Sequence, residues 1–333
     1  MPPVRPVVLA VDGGATKTEA WLVDLDGMVR GRACGAGSNH QLVGVDQAVA
    51  TLQAVVAEAW ADAGFGGAHA RGPAAVGAFC LAGLDFDVDA SRLRPAIEAA
   101  GLAGRFELHN DTVALLRAGT TASWGVATVC GTGLNCCGLG PDGTEVRFPS
   151  LGELSGDQAP GGLWLGTRAL GLALRAGDGR GKPTALRVAV SAHFGLFDPE
   201  AVLLAVYTGA LAFNRLPELA RVACEVAAAG DEVAVHAVDE LAAEVVAMTT
   251  ACIARLHATD RAVEVVLGGG IFGTTYTGFL DTVTAGILAR APAARLRRPG
   301  AAPVVGAALL GGWCFSSHFD SRSGRRPARI TAL

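Results

Sequence analysis

One short pattern occurs twice in the chain, and this repeat constrains the fold more than any other feature. Each copy reads as a strand, a glycine turn, a second strand, an Asp-Gly turn and a third strand. The strands of the first copy are predicted at Val7–Val11, Glu19–Asp24 and Val29–Ala33. The strands of the second copy are predicted at Gly125–Cys130, Leu134–Gly138 and Thr144–Phe148. Because self-similar segments indicate repeated structural units, the sequence predicts two similar domains, each with a glycine turn after its first strand.

The remaining segments mix helical and strand patterns in the first half and are mostly helical in the second. Further helices are predicted at Asp46–Ala63, Ser91–Ala100 and Asp111–Ala118, with strands at Ala74–Phe79 and Phe106–His109. Alanine-rich helical stretches are predicted at Val202–Ala229, with a break near Pro217, and at Val233–Ala258. A strand follows at Val263–Leu267 and a final apolar segment at residues 305–313. We therefore expect an α/β fold with domains over residues 1–114 and 115–316 and a basic tail over 317–333.

Composition and charge argue against several classes of function. The chain has 333 residues, of which 51% are hydrophobic and 17% charged, so it can bury a core in each of two domains. Its formal net charge of -4 gives no electrostatic basis for binding nucleic acid or a membrane surface. Its apolar runs are shorter than the roughly 20 residues of a membrane span, and no signal-peptide pattern opens the sequence. We expect a cytoplasmic protein with a small-molecule substrate; a homodimer is left open.

The cysteines do not form a metal-binding or disulfide pattern. The chain has 8 of them, no pair has C-x-x-C spacing, and most lie in apolar runs. Buried free thiols are therefore expected.

Three glycine turns follow predicted strands and could bind phosphate. They are Asp12-Gly13-Gly14-Ala15-Thr16-Lys17-Thr18, Gly131-Thr132-Gly133 with Asn135 close behind, and Gly268-Gly269-Gly270. Glycine lets a backbone amide approach a ligand closely, and threonine hydroxyls add further donors. A carboxylate such as Asp12 at a strand end could hold a hydrated magnesium ion.

Each turn alone is more often structural, as a hairpin turn or a strand terminator. Three of them at strand ends, in two related halves, favour a nucleotide-binding cleft between the domains. The chain has no G-x-x-x-x-G-K-[ST] motif and no strand, G-x-G-x-x-G, helix arrangement, which argues against a P-loop or a Rossmann site.

At this point the chain resembles the N-acetylglucosamine kinase branch of the BadF/BadG/BcrA/BcrD ATPase family. The resemblance runs in order over about residues 7–315 and rests on the three glycine turns and three further segments. These segments are Ser38-Asn39-His40, which resembles the sugar loop, Asn110-Asp111, which resembles the catalytic segment, and Gly152 with Gly156-Asp157, which resembles a second sugar segment.

The resemblance implies a two-domain ribonuclease H-like fold of the actin/hexokinase type and an ATP- and Mg²⁺-dependent kinase acting on an amino sugar. It implies that Asp12 helps to place magnesium and that Asp111 is the catalytic base. Nucleotide contacts are implied for Gly13, Gly14, Thr16, Lys17, Gly131, Thr132, Gly133, Gly269 and Gly270. Sugar contacts are implied for Asn39, His40, Gly83, Asp111, Asn135, Gly152 and Asp157.

Departures from the family pattern leave the choice of sugar and hydroxyl open. Leu134 replaces the usual serine after Gly-Thr-Gly, and Gln158-Ala159-Pro160 replaces a segment that is usually glycine-rich or Glu-Gly-Ser-like. Transfer to the 6-hydroxyl of N-acetylglucosamine is the leading expectation, with glucosamine and N-acetylmuramate as alternatives.

Two other functions fit the sequence less well. An activator of a radical dehydratase, from another branch of the family, would need a Cys-Ala-Ala-Gly-Thr-Gly segment, which the chain lacks. A non-catalytic sugar sensor ranks lower because Asp111 is present. From the residues alone, a helix cap is favoured over catalysis for Asp111, and the resemblance reverses that preference. The two roles are compatible if Asn110 is the cap.

Overall fold

The computed structural model describes residues 7–64, 74–122, 124–274 and 276–312. The predicted basic tail at 317–333 lies outside these ranges. Contacts along the chain define two compact units, Met1–Ser123 with Arg298–Leu333, and Trp124–Arg297.

The first unit contains a five-stranded sheet in the order β3-β2-β1-β4-β5. Its strands are β1 (Val7–Gly13), β2 (Lys17–Asp24), β3 (Val29–Ala36), β4 (Val76–Leu81) and β5 (Phe106–Asn110). Its helices are α1 (His40–Val43), α2 (Val45–Asp62), α3 (Asp87–Ala100), α4 (Asp111–Gly119) and α11 (residues 303–312). Strands β1 to β3 are antiparallel neighbours, whereas β4 and β5 run parallel to β1.

The second unit contains a five-stranded sheet in the order β10-β9-β6-β7-β8. Its strands are β6 (Gly125–Cys130), β7 (Leu134–Leu139), β8 (Glu145–Arg147), β9 (Glu264–Gly268) and β10 (Arg295–Arg297). Its helices are α5 (Gly162–Gly177), α6 (Leu186–His193), α7 (Pro199–Tyr207), α8 (Glu218–Ala228), α9 (Glu232–Arg255) and α10 (Thr277–Arg290).

The two sheets share strand order and strand direction when β6 to β10 are matched to β1 to β5. In both, the first three strands form an antiparallel meander and the fourth and fifth add parallel to the first. The predicted internal repeat is therefore confirmed at the level of topology, and the α/β fold class with it.

Apolar clusters cover both faces of the first sheet. On one side, Leu9, Phe79 and other sheet residues pack with Leu52 of α2 and Leu93 of α3. On the other side, Ala10 and Cys80 pack with α4 and with α11, which contributes Val304, Ala307 and Ala308. In the second unit, one large cluster joins β6, β7 and β9 to helices α5 to α10.

This division of the chain differs from the domain boundaries expected from the sequence. Residues 115–119, which complete helix α4, and the residues up to 122 stay with the first unit, and so does α11, which we expected in the second domain. The reason is packing, because the apolar face of α11 covers the second face of the first sheet. A local apolar pattern does not state which sheet it will cover.

The helical stretch over Val202–Ala229 has the break predicted near Pro217, but the interruption is longer than predicted. Helix α7 ends at Tyr207, a 3-10 turn covers Phe213–Arg215, and α8 begins at Glu218 after Pro217. No helix in the described ranges combines the length and apolar character that crossing a membrane requires.

The expectation of buried thiols holds for six of the seven described cysteines and is wrong for Cys34, which is exposed. Cys34 lies on β3, whose side chains alternate between the two faces. Burial raises the pKa of the Cys130 and Cys136 thiols, so both are poor nucleophiles.

Candidate functional site

Four segments implied in the first unit meet at one edge of its sheet. Strands β1, β3, β4 and β5 all run in the same direction, so their carboxyl ends lie along the same edge. The glycine turn follows β1, Ser38-Asn39-His40 follows β3, Gly83 follows β4, and Asp111 follows β5. The carboxyl edge is where open α/β sheets bind ligands.

The glycine turn after β1 is closed by its own backbone and held by the sugar loop. The amide of Gly14 donates to the carbonyl of Lys17 at 2.8 Å, and the amide of Ser38 donates to the carbonyl of Gly14 at 3.0 Å. The buried hydroxyl of Thr18 donates to that of Ser38 at 2.9 Å. Turn and loop are therefore one structural unit, and displacing one displaces the other.

The side chains of this turn are placed unequally for nucleotide binding. Thr16 is exposed and free to meet a ligand. Lys17 is also exposed, but its ammonium group lies 2.9 Å from the carboxylate of Glu19. A phosphate bound at Lys17 would have to compete with that ion pair.

The sugar loop leads into the short helix α1, and its residues Asn39 and His40 have different surroundings. Asn39 is the N-cap of α1, accepting from the amide of Gln41 at 2.9 Å. Gly83 has a φ of 82°, and a Cβ there would lie 2.5 Å from Oδ1 of Asn39. Glycine at 83 therefore leaves the Asn39 amide in place.

His40 is buried, and its Nε2 lies 3.1 Å from Oδ1 of Asp89. Its Nδ1 has no hydrogen-bond partner within the described part of the chain. One ring nitrogen is thus engaged by Asp89 and the other is buried, so the structure presents neither to a ligand, and the sugar contact implied for His40 stays a prediction.

Asp111 is the first residue of α4 and does not cap that helix. The cap is Asn110, whose Oδ1 accepts from the amide of Thr112 at 3.0 Å. Burial, together with the negative charges of Asp12 and Asp85, raises the pKa of Asp111 to about 7. A carboxylate with a pKa near neutrality is suited to accept a proton in a reaction.

Asp12 is the second-last residue of β1 and pairs across the hairpin with Glu19 on β2. Burial, then the charge of Glu19, raises the pKa of Asp12 to about 6, and Lys17 opposes this shift. The first unit thus contains two carboxyl groups, of Asp12 and Asp111, whose ionised forms are destabilised by the surrounding protein. Bound Mg²⁺ would relieve that repulsion, and carboxylate oxygens are its preferred ligands, so Asp12 fits a magnesium site.

In the second unit, the carboxyl ends of β6 and β9 bring two glycine turns side by side. Gly131-Thr132-Gly133 follows β6, and Gly269-Gly270 follows β9, its parallel neighbour. Gly269 has a φ of 99° and lies against the carbonyl of Cys130. The two turns therefore lie next to each other at this edge of the sheet.

The Gly-Thr-Gly turn is held from outside by the start of α5. The amide of Gly162 donates to the carbonyl of Gly131, and the amide of Leu163 donates to that of Thr132, both at 2.8 Å. Gly161 lies directly against the backbone of Gly133. The residues that directly follow the departure at Gln158-Ala159-Pro160 thus support the second glycine turn.

The second sugar segment lies beyond β8, which runs in the same direction as β6. Asp157 is 9% exposed and accepts from the hydroxyl of Ser155 at 2.9 Å, and burial raises its pKa. Its amide donates to the carbonyl of Gly152 at 3.2 Å. Asn135, near the start of β7, accepts from the amide of Cys136 through its own Oδ1.

Sequence reasoning missed Asp85, which lies in the loop after β4. Its carboxylate accepts hydrogen bonds from Gln41 and Asn110, on either side of the proposed sugar-binding residues. One signal could have found it, since β4 is a buried apolar strand and Asp85 is the first charged residue after it.

Comparisons with known proteins agree with this arrangement. The chain is 27% identical over 321 residues to the N-acetyl-D-glucosamine kinase of Dictyostelium discoideum, covering 92% of this chain and 98% of that relative. Its structure resembles that of a proposed N-acetylglucosamine kinase from Chromobacterium violaceum, with a TM-score of 0.72, 25% identity, and coverage of 92% and 99%.

A more distant likeness supports the fold alone. A ROK family glucokinase from Streptomyces griseus, solved with glucose and AMPPNP, matches with a TM-score of 0.56 at 19% identity and covers 92% of this chain and 99% of its own. The actin/hexokinase-like fold class is thereby confirmed. The model of the BadF/BadG/BcrA/BcrD ATPase family matches residues 9–311, and the chain belongs to that family.

Proposed function

We propose that this protein transfers the γ-phosphate of ATP to the 6-hydroxyl of N-acetylglucosamine or a close analogue. The observation that carries the proposal is Asp111, a carboxylate with a pKa raised to about 7 at the sheet edge that also holds the glycine turn and the sugar loop. The broader assignment, that the chain is an ATP-dependent sugar kinase, rests on its family and on its similarity to known relatives.

Phosphoryl transfer depends mainly on positioning and on stabilising charge. In the proposed reaction the ionised Asp111 accepts a hydrogen bond from the attacking sugar hydroxyl and takes its proton as the new P–O bond forms. Asn39, Gly83 and Asp157 would contact the remaining hydroxyl and acetamido groups of the sugar.

The nucleotide contacts are assigned to backbone as much as to side chains. In the first unit we assign the amides of Gly13 and Gly14 and the hydroxyl of Thr16 to the phosphates, and in the second unit the turn at Thr132. Gly269 and Gly270 would lie near the adenosine. Mg²⁺, when bound, neutralises phosphate charge, and Asp12 is the residue that would help to hold it.

The identity of the sugar is the least constrained part of the proposal. Glucosamine and N-acetylmuramate remain alternatives, because Leu134 and the residues after Asp157 depart from the family pattern. A homodimer also stays a prediction, which sedimentation of the purified protein would test.

A sugar screen tests the proposed activity. We expect ADP formation that needs both Mg²⁺ and an amino sugar. Of four sugars tested, N-acetylglucosamine, glucosamine, N-acetylmannosamine and N-acetylmuramate, the first should give the highest kcat/KM. ADP release that no amino sugar stimulates would contradict the proposal. A higher kcat/KM for another of these sugars would keep the enzyme class and change the substrate.

The pH dependence of the rate follows from the raised pKa of Asp111. The ionised carboxylate is the active form, so activity is present above pH 7 and falls as pH drops through about 7, approaching tenfold per unit. Asp12 protonates near pH 6 and steepens the fall below that value.

The measurement is the rate with both substrates well below saturation, where the ionisations of the free enzyme are reported. ATP itself titrates in this range, so the ratio of wild-type to Asp111→Asn rates at each pH isolates the contribution of Asp111. We expect that ratio to fall below pH 7, and a constant ratio would contradict the assignment.

A further inference from the structure

The loop between β4 and α3, residues 82–86, receives hydrogen bonds from both segments that flank the proposed sugar-binding residues. On one side it contacts the sugar loop after β3, and on the other it contacts the segment that carries Asp111 after β5. No role has been assigned above to any charged residue of this loop.

Gln41 connects the loop to the sugar-binding Asn39. Its Nε2 donates to the carbonyl of Gly83 at 2.9 Å and to Oδ2 of Asp85 at 3.1 Å. Its own amide is the group that Asn39 caps. A change in the position of Gln41 therefore changes the position of Asn39.

Asn110 connects the same loop to the proposed catalytic base. Its Nδ2 donates to Oδ1 of Asp85 at 3.0 Å, while its Oδ1 caps α4. Asn110 is 3% exposed, so its amide is fixed by these contacts. Asp111 is the next residue, and its backbone direction is set by how Asn110 is held.

Asp85 is itself anchored from behind. Its amide and that of Phe86 donate to Oδ2 of the buried Asp89, at 3.2 and 2.8 Å. The other oxygen of Asp89 contacts His40 of the sugar loop. Hydrogen bonds thus hold both the backbone of this loop, at Asp85 and Phe86, and the side chain of Asp85.

We infer that Asp85 is a positioning residue, whose two carboxylate oxygens hold Gln41 and Asn110 and so set the distance between the sugar-binding Asn39 and the base Asp111 before sugar binds. The inference rests on the proposed kinase function. A neutral side chain could not accept from both amides with the strength of a carboxylate, since hydrogen bonds to charged groups are the stronger ones.

Asp85→Ala is expected to lower kcat/KM for the sugar about 10- to 100-fold, the range for losing hydrogen bonds to a charged group. The effect should include a raised sugar KM, while the KM for ATP should stay within about twofold, because the hydrogen bonds described for the Asp85 carboxylate come from Gln41 and Asn110, neither of which is assigned to the nucleotide. Asp85→Asn keeps one acceptor oxygen and should show an intermediate loss, which also covers the case in which the alanine variant folds poorly.

A double-mutant cycle separates positioning from direct sugar contact. If Asp85 acts through Gln41, then Gln41→Ala should reduce kcat/KM by itself, and adding it to Asp85→Ala should cost less than the product of the two single effects. Fully multiplicative effects would overturn the inference.

Asp24 provides a matched control in the same unit. It is buried, accepts from the amides of Asp26 and Met28 and from Arg30, and lies at the end of β2 away from the glycine turn. Asp24→Ala should lower the Tm and leave the sugar KM of the folded enzyme unchanged.

The outcomes are distinguishable from failure of the proposed function. A wild-type protein without sugar kinase activity would remove the function itself. An active wild type whose Asp85→Ala and Asp85→Asn variants keep the wild-type sugar KM, or raise the ATP KM equally, would overturn the role of Asp85 alone.

Discussion

Replacing Asp111 by asparagine is expected to lower kcat about 10²–10⁴-fold, the usual range for loss of a general base. Asparagine keeps the size of the side chain but cannot take the proton of the sugar hydroxyl. The Tm should change little, because the cap of α4 is supplied by Asn110 and position 111 is only the first helical residue. Steady-state kinetics on N-acetylglucosamine measure kcat, and calorimetric titration measures the affinity for ATP.

Retained ATP affinity is the control within this experiment, since none of the atoms assigned to the nucleotide belongs to Asp111. If Asp111→Asn kept most of its turnover, Asp111 would be a structural residue at the start of α4. The base would then have to be sought at Asp157, the other carboxylate proposed to contact sugar, whose pKa burial also raises.

Replacing Gly161 by alanine is expected to raise the KM for ATP at least about tenfold and to lower the Tm by about 5 °C. Gly161 has a φ of 95°, which alanine adopts only with strain, and a Cβ there would lie 2.6 Å from the carbonyl oxygen of Gly133. The Gly-Thr-Gly turn would have to shift to make room. Small displacements of positioned groups are known to cost large factors in rate.

Gly143 is the matched control for this substitution. It has a similar φ of 85°, in the turn between β7 and β8, and a Cβ there would meet nothing within 4 Å. Gly143→Ala therefore introduces backbone strain without displacing the Gly-Thr-Gly turn and should leave the KM for ATP unchanged. Equal ATP KM values for the two variants would contradict the supporting role of the segment before α5.

The sequence was sufficient to predict the repeated sheet because its information is local. Strand, glycine turn and hairpin signals lie within about 30 residues of one another at Val7 and again at Gly125, and the structure confirms matching topology there. The candidate groups around Asp12, Asn39 and Asp111 follow from the same logic, since each lies at or just after the carboxyl end of a strand, and these ends lie along one edge of the sheet.

Features that depend on tertiary contacts could not be read in this way. Nothing in the local pattern of residues 303–312 tells which sheet they cover, and only packing assigns them to the first unit. The roles of Asp85 and Gly161 likewise depend on contacts between segments that are distant in sequence. Asp85 contacts Gln41 and Asn110, and Gly161 contacts Gly133.

Identification of the product tests the central claim most directly. The wild-type protein would be incubated with ATP, Mg²⁺ and N-acetylglucosamine, and the product examined by mass spectrometry and by phosphorus–proton correlation NMR. The account predicts one sugar monophosphate whose phosphorus couples to the two protons on C6, formed in equal amount to ADP. ADP with inorganic phosphate and no sugar phosphate, from any amino sugar tested, would contradict it.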